Sequence, residues 1–186
     1  MGNWYEIIVD RDVTEAEAPR LAEQMRVWLI EREIIETVPS KHFLNESESM
    51  YRPGPAYQST LEEPNPYTET VKGLELEVGR TVFYRLSLEL TCKACGARLD
   101  ADKDESWDLE PWHDAVNAWW SGDAAALYAC PKCGVPERLT EWSGGAPWYF
   151  GYLGLKFWDW SPLSERFIQE VTKQLGHRTG VVSDKL

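Results

Sequence analysis

Four cysteines are the residues of this chain whose types and spacing point most directly to chemistry. They form two C-x-x-C-G units, and the 186 residues contain no other cysteine: Cys92-Lys93-Ala94-Cys95-Gly96 and Cys130-Pro131-Lys132-Cys133-Gly134. In such a unit a tight turn presents two thiolates to one metal ion, and the glycine allows the backbone conformation that the turn needs. Two units supply the four ligands of a tetrahedral site. The sequence therefore predicts one structural zinc ion per chain, bound by Cys92, Cys95, Cys130 and Cys133.

Other uses of the cysteines fit the pattern less well. A redox C-x-x-C needs only one pair, placed after a strand at the start of a helix. Disulfides require an oxidising compartment, and we recognise no secretory segment at the start of the sequence. Catalytic zinc needs an open coordination position, which four thiolates do not leave. Lys93 and Lys132 can offset part of the negative charge of the site. Structural zinc is the preferred interpretation, with redox, disulfide and catalytic uses as alternatives.

The segment between the two cysteine pairs must itself be folded. It contains 34 residues, more than the usual 15–20 residues of a plain zinc ribbon. Asp108 or Glu110 can cap a helix that begins near Pro111 and ends at Gly122. The apolar residues of this helix lie on one face: Trp112, Val116, Trp119 and Trp120. Residues 138–142 follow as a strand of the ribbon. The sequence thus predicts a zinc-ribbon module with one helix over residues 91–141.

The flanking segments predict the elements that hold this module. Residues 3–9 are rich in aromatic and β-branched residues and predict a strand. Thr14 and Glu17 fit a capping box for a helix over residues 14–31, which Pro19 should delay or bend. Residues 39–70 lack periodicity and contain five of the eleven prolines, so they predict a long loop. Strand patterns occupy residues 74–78, 81–85 and 86–90. A helix over 161–175 should have Ser161 as its cap and Pro162 at its first position, and a strand over 177–183 closes the chain.

This order of elements suggests two β-α-β halves. We predict an α+β fold with a ferredoxin-like two-layer core, formed by residues 1–90 and 142–186, into which the zinc ribbon of residues 91–141 is inserted. Helices 14–31 and 161–175 should lie on one face of an antiparallel sheet. The alternative is an irregular α+β fold in which the ribbon strands extend the main sheet.

Charge and hydropathy restrict the partners. The formal net charge is −12, which argues against sequence-independent binding to nucleic acid and against anionic membrane surfaces. The same charge permits a basic protein partner, whose approach it would steer. No apolar run approaches the 18 residues of a membrane-spanning helix. We expect a soluble cytoplasmic protein.

Several segments together resemble an uncharacterised family of bacterial proteins with paired C-x-x-C motifs. The residues that carry the resemblance are both cysteine units, Gly79-Arg80-Thr81-Val82-Phe83, Phe157-Trp158-Asp159-Trp160-Ser161-Pro162-Leu163 and Leu175-Gly176-His177-Arg178. Members of that family are sometimes labelled as transport ATPases. This chain lacks the G-x-x-x-x-G-K-[ST] phosphate loop that such a label requires. The resemblance therefore implies no activity.

Catalytic motifs are absent from the sequence. It contains no G-x-S-x-G, no H-E-x-x-H and no dinucleotide glycine fingerprint. The only candidate histidine bases are His42, His113 and His177. His113 should be an exposed residue of a first helical turn, and His177 should favour its charged form at a helix end. An enzyme would need converging carboxylates, for which the space between the 39–70 loop and the aromatic stretch of residues 142–160 is the natural place.

The leading hypothesis is a small, acidic, non-enzymatic module that binds another protein, with an immunity protein against a basic toxin as one concrete version. The alternatives are an enzyme of unknown reaction and a zinc-ribbon nucleic-acid-binding protein. The candidate partner-binding residues are acidic residues after the first cysteine unit and two residues of the aromatic stretch: Asp100, Asp102, Asp104, Glu105, Trp148 and Tyr149. An acidic run is often only a solvated loop, and dense aromatic residues often form a core.

Overall fold

A computed structural model describes residues 3–45, 47–67, 70–146 and 148–185. The helices within these residues are α1 (Ala18–Glu31), α2 (Glu110–Trp120) and α3 (Glu165–Leu175). The strands are β1 (Trp4–Asp10), β2 (Ile35–Lys41), β3 (Glu48–Pro53), β4 (Gly73–Phe83), β5 (Glu89–Thr91), β6 (Arg98–Asp100), β7 (Leu127–Ala129), β8 (Pro136–Arg138), β9 (Ser143–Ala146), β10 (Tyr149–Trp158) and β11 (Thr179–Lys185). The mixture of helices with mostly antiparallel sheets confirms the predicted α+β class.

The chain divides into two compact units. Unit 1 comprises Met1–Gly79 and Gly151–Leu186, and unit 2 comprises Arg80–Phe150. Unit 2 is wider than the predicted module of residues 91–141. None of the described helices is long and apolar enough to cross a membrane.

Unit 1 is built on a sheet with the strand order β11-β1-β10-β4-β3-β2. Strand β1 pairs antiparallel with both β10 and β11, and Tyr5 is opposite Trp158. Alternate residues of the strands, such as Ile8 and Leu155, enter one hydrophobic cluster with both helices of the unit. Since side chains alternate between the faces of a strand, α1 and α3 cover the same face of the sheet.

The two helices also contact each other. Leu21 and Met25 of α1 are buried in the same cluster as Phe167 and Val171 of α3. The rings of Trp28 and Phe167 stack with their centroids 6.4 Å apart. One turn further along, the guanidinium of Arg32 lies 2.6 Å from the carboxylate of Glu170. These contacts result from apolar residues that recur at helical spacing in both segments.

The predicted loop over residues 39–70 is wrong, because β2 and β3 form a hairpin there and Tyr57–Thr60 form a 3-10 turn. Pro39 does not prevent a strand, since β2 is the edge of the sheet and its proline needs no ladder N–H. Strand β4 likewise runs through Gly79 without a break. The strand predicted at 138–142 is also shifted: β8 ends at Arg138, and a 3-10 turn follows.

Helix α3 begins later than predicted. Its N-cap is Ser164, whose Oγ accepts a hydrogen bond from the N–H of Phe167 at 3.2 Å. The preceding residues are used elsewhere: the N–H of Leu163 donates to the carboxylate of Glu6 at 2.8 Å, and Leu163 forms a bridge with Leu61. These contacts hold the segment extended, so Ser161 is not the cap. The predicted stop at Gly176 is confirmed by its left-handed φ of 75°.

Unit 2 has a core that consists largely of aromatic rings. The predicted helix near Pro111 is confirmed as α2, and its buried residues include Trp112 and Trp119. The ring of Trp112 meets that of Tyr128 edge-on at 5.1 Å, and Trp119 meets Phe150 at 5.3 Å. The sheets of this unit are small, with the orders β6-β5-β9 and β7-β8.

Candidate metal centre

Each cysteine unit is the turn of a short β-hairpin. Strands β5 and β6 flank the first unit, and β7 and β8 flank the second. In the first turn the N–H of Gly96 donates to the carbonyl of Cys92 at 2.8 Å, and in the second Gly134 donates to Cys130 at the same distance. The φ angles of the two glycines are 72° and 74°, a region that glycine occupies without strain. The two turns therefore repeat one backbone geometry.

The two turns bring all four sulfur atoms together. The candidate ligand atoms lie within 4.8 Å of one another, and the Sγ atoms of Cys92 and Cys133, like those of Cys95 and Cys130, are 3.9 Å apart. Tetrahedral Zn–S bonds of about 2.3 Å place neighbouring sulfurs about 3.8 Å apart, whereas a disulfide requires about 2.05 Å. All four cysteines are free. The geometry fits a four-thiolate metal site and not a disulfide pair.

The pKa values of Cys130 and Cys133 also favour a bound cation. Burial raises the pKa of Cys130, but the N–H groups of Lys132 and Cys133 outweigh it and lower this pKa to about 7. At Cys133 the N–H of Val135 lowers the pKa, but desolvation and the neighbouring thiols raise it to about 12. One thiolate thus opposes the formation of the next. A metal ion is what allows all four sulfurs to be deprotonated at once.

The lysines within the cysteine units pair with carboxylates of unit 2. Lys93 lies 2.7 Å from the carboxylate of Glu137 and 3.6 Å from that of Glu141. Lys132 lies 3.5 Å from the carboxylate of Asp104. Because Lys93 belongs to the first turn and Glu137 to β8, this ion pair links the two hairpins at the metal centre.

The acidic segment, defined here as Asp100, Asp102, Asp104 and Glu105, follows the first hairpin. The Nζ of Lys103 donates to the carboxylate of Asp100 at 2.6 Å, and this bond lowers the pKa of Asp100. A hydrogen bond from Ser106 lowers the pKa of Asp104. Both carboxyl groups are thus held in their ionised form, and Asp102 and Glu105 are exposed.

The predicted aromatic contact residues, Trp148 and Tyr149, are half-buried. The indole N–H of Trp148 donates to the carbonyl of Ser87 at 3.3 Å, and its ring lies 4.8 Å from that of Tyr84. Ser87 also lines a recess of about 200 Å³ together with Asp100 and Asp102. Ser87 therefore lies next to both Trp148 and two residues of the acidic segment.

A second cleft of unit 2 lies directly beside the metal centre and was not anticipated from the sequence. Its volume is about 430 Å³, and its lining includes Asp104, Trp107, Asp108, Tyr128 and Lys132. The indole N–H of Trp107 donates to the hydroxyl of Tyr128 at 2.9 Å, which fixes both rings. Carboxylates on an aromatic wall are suited to a cationic side chain. The pair Trp107-Asp108, which follows the acidic segment after Ser106, is the signal in the sequence that could have indicated this cleft.

Unit 1 contains the cleft in which converging carboxylates would be expected for an enzyme. It measures about 810 Å³ and is lined by residues of the 39–70 region and of the end of the aromatic stretch, including Asn65, Tyr67, Asp159 and Trp160. Asp159 is the one carboxylate among the lining residues that the structure describes. Its Oδ1 accepts the N–H of Trp4 at 2.8 Å, which is a structural bond. The described lining therefore contains no pair of carboxylates.

The histidines of unit 1 are held by carboxylates. The buried His42 accepts the N–H of Leu44 at Nδ1, so its Nε2 carries the proton that faces Glu75 at 3.2 Å. His177 places Nδ1 2.9 Å from the buried carboxylate of Asp10, a partner that sequence reasoning missed. His113 is exposed in α2 as predicted.

Comparisons with known proteins identify no relative. No protein-family model, no curated protein and no solved structure matches this chain.

Proposed function

We propose that this chain is a zinc-stabilised, non-enzymatic module that binds a basic protein, for example as an immunity protein against a basic toxin. The observation that carries the proposal is the cleft beside the metal centre, where Asp104 and Asp108 lie with the rings of Trp107 and Tyr128. Lys132 also lines this cleft, 3.5 Å from Asp104, so a partner's cation would compete with an exposed ion pair there and meet Asp108 directly. A lysine or arginine of a partner can place its charge between the carboxylates and its stem on the rings. The net charge of −12 would steer such a partner towards the surface.

Zinc is the metal that the site supports best. Four cysteine thiolates in tetrahedral spacing are typical of zinc or of iron centres. A zinc site of this kind has no open position, so its role would be structural. Metal analysis of the purified protein should find one zinc per chain, and a visible charge-transfer absorption would instead indicate iron.

We infer a ferredoxin-like core in unit 1, made by β1, α1, β4, β10, α3 and β11, with the hairpin β2–β3 added beside β4 at the edge. The shared cluster of α1 and α3 supports it. The residues between β4 and β10 would be the zinc-ribbon insertion. An experimental structure with α1 and α3 on opposite faces of the sheet would contradict this core.

The binding function is tested by removing charge from the acidic segment. The partner is first recovered by cross-linking capture from the source cell, and its association is then measured at several salt concentrations. The test variant carries Asp100→Asn, Asp102→Asn, Asp104→Asn and Glu105→Gln. The matched control neutralises four exposed carboxylates outside the segment: Glu31, Glu62, Glu63 and Asp114.

Local capture and overall steering predict different results. If the acidic segment binds the partner, its neutralisation should slow association at low salt by at least tenfold and flatten the salt dependence. The control variant has the same net charge, and its association rate should fall much less. Equal effects of the two variants would place the contact elsewhere, and an unchanged rate in both would refute a basic partner.

A further inference from the structure

A cleft of unit 1 concentrates positive charge in this acidic protein. It has a volume of about 510 Å³ and lies at the edge of the sheet, where β2, β3 and the residues before β4 meet. Lys41, Arg52 and Lys72 line it, and Glu36 is the one carboxylate among its described lining residues. The chain as a whole has 31 acidic and 19 basic side chains. The charge around this cleft therefore has the opposite sign to that of the protein.

The three cations have no carboxylate partner in the part of the chain that the structure describes. None of them forms an ion pair with any side chain that the structure describes, whereas cations such as Lys93, Arg32 and Lys156 do. Lys72 places its Nζ 5.9 Å from the ring centroid of Phe43, another residue of the lining. Like charges that face one concavity repel each other and make it attractive to an anion.

The positions of the cations on the fold favour a tetrahedral anion. Lys41 ends β2, Arg52 lies in β3 and Lys72 comes just before β4, so the charges approach from three chain segments. The hairpin is held by its ladder and by the Ser40 hydroxyl, which donates to the carbonyl of Met50 at 3.0 Å. A planar carboxylate is satisfied by one guanidinium fork. A phosphate dianion can accept bonds from several donors around it.

The floor of the cleft is apolar. Met50 and Tyr57 are buried there, and Phe43 is half-buried. Ligand sites of a few hundred Å³ commonly combine such a floor with a few polar groups that fix orientation. A nucleic acid strand would extend beyond the three cations of the cleft on a chain whose net charge is −12, whereas a small anion lies within a Debye length of all three.

The geometry points to a binding site for a small organic phosphate, with the phosphate held by Lys41, Arg52 and Lys72 and the organic group against Phe43 and Met50. This site is independent of the metal centre and of the proposed protein partner. It assigns a ligand class to a part of the chain that the acidic segment does not involve.

Calorimetric titration with phenyl phosphate and with inorganic phosphate tests the site. Phenyl phosphate should bind more tightly than inorganic phosphate, because only the former reaches the apolar floor. Arg52→Gln and Lys72→Gln should each weaken phenyl phosphate binding by at least tenfold, which is the effect of one lost charge-assisted hydrogen bond, about 1.5–3 kcal/mol. Glu36→Gln should tighten binding by about two- to fivefold through the loss of a like charge.

Lys173→Gln is the matched control, since it removes one exposed cation of unit 1 outside the cleft. It should bind phenyl phosphate within about twofold of the wild type. The proposal is overturned if the wild type binds neither probe at millimolar concentration, or if Arg52→Gln and Lys72→Gln behave like the control. Equal affinity for the two probes would overturn the organic part of the assignment. All these residues are exposed, so thermal melts should show every variant folded.

Discussion

Cys95→Ser separates the structural role of the metal from simple packing. Cys95 is exposed, so its replacement by serine leaves no cavity in the core of unit 2. The change removes one of the four sulfur ligands and should abolish tight metal binding. Any unfolding of unit 2 in this variant must then result from loss of the metal.

The expected size of the effect follows from the length of unit 2. Arg80–Phe150 is about 70 residues, and a core in a chain of this length seldom supplies more than about 3–5 kcal/mol. Apparent binding of structural zinc contributes about 10–16 kcal/mol, coupled to folding. The net stability of a domain is only about 5–15 kcal/mol in total, so losing a contribution of this size should leave unit 2 with little or no stability, and it should unfold. Unit 1 has its own hydrophobic cluster and should persist.

Urea unfolding followed by tryptophan fluorescence measures this outcome, together with metal analysis. Six of the ten tryptophans belong to unit 2: Trp107, Trp112, Trp119, Trp120, Trp142 and Trp148. Most of the fluorescence should therefore shift to the unfolded value in Cys95→Ser before urea is added. Lys132→Gln is the control, because it changes a surface ion pair worth at most about 1 kcal/mol and leaves all four thiolates. A metal-free Cys95→Ser protein that unfolds like the wild type would refute a structural metal.

Three further changes test individual parts of unit 1. Ser164→Ala should lower stability by about 1 kcal/mol, or about 2–4 °C in Tm for a chain of this length. The control Ser161→Ala should leave Tm within about 1 °C. An equal loss of Tm in both variants would contradict the assigned cap. Burial raises the pKa of Glu6 above its ordinary value of 4.5. The stability that protonated Glu6 supplies is therefore present below pH 4.5 and lost as pH rises through the raised pKa. Urea melts should show Glu6→Gln becoming more stable relative to the wild type as pH rises above 4.5. A constant difference would contradict this. Gly54→Ala should destabilise by about 1–3 kcal/mol in the same assay, because its Cβ would overlap the carbonyl oxygen of Glu33; an unchanged midpoint would show that the backbone yields freely.

The metal centre was predictable from sequence because its information is local. Each C-x-x-C-G unit determines its own turn, and the glycines at 96 and 134 occupy the backbone region that the pattern requires. The apolar spacing of α1 and α2 is likewise local. Where the residues that determine a structure lie within one segment, the sequence alone predicts that structure.

The missed features depend on partners that are distant in the chain. Strands β2 and β3 contain prolines and no clear alternation, and they exist because β4 pairs with β3. The start of α3 is delayed by Glu6, which is far away in sequence and captures the N–H of Leu163. The cationic cleft combines three side chains from three segments, none of which has a motif. Periodicity cannot reveal such combinations, because each residue taken singly resembles an ordinary surface residue.

Strand β2 has a further consequence for how the protein behaves at high concentration. As an edge strand it would ordinarily offer a row of free N–H and C=O groups on which a second chain can add a strand. Pro39 removes one of those donors, and the register shift between Ile35 and Pro39 interrupts the regular spacing. The proline and the register shift, which make this strand hard to predict from the sequence, therefore also protect it against edge-to-edge association, the first step of aggregation.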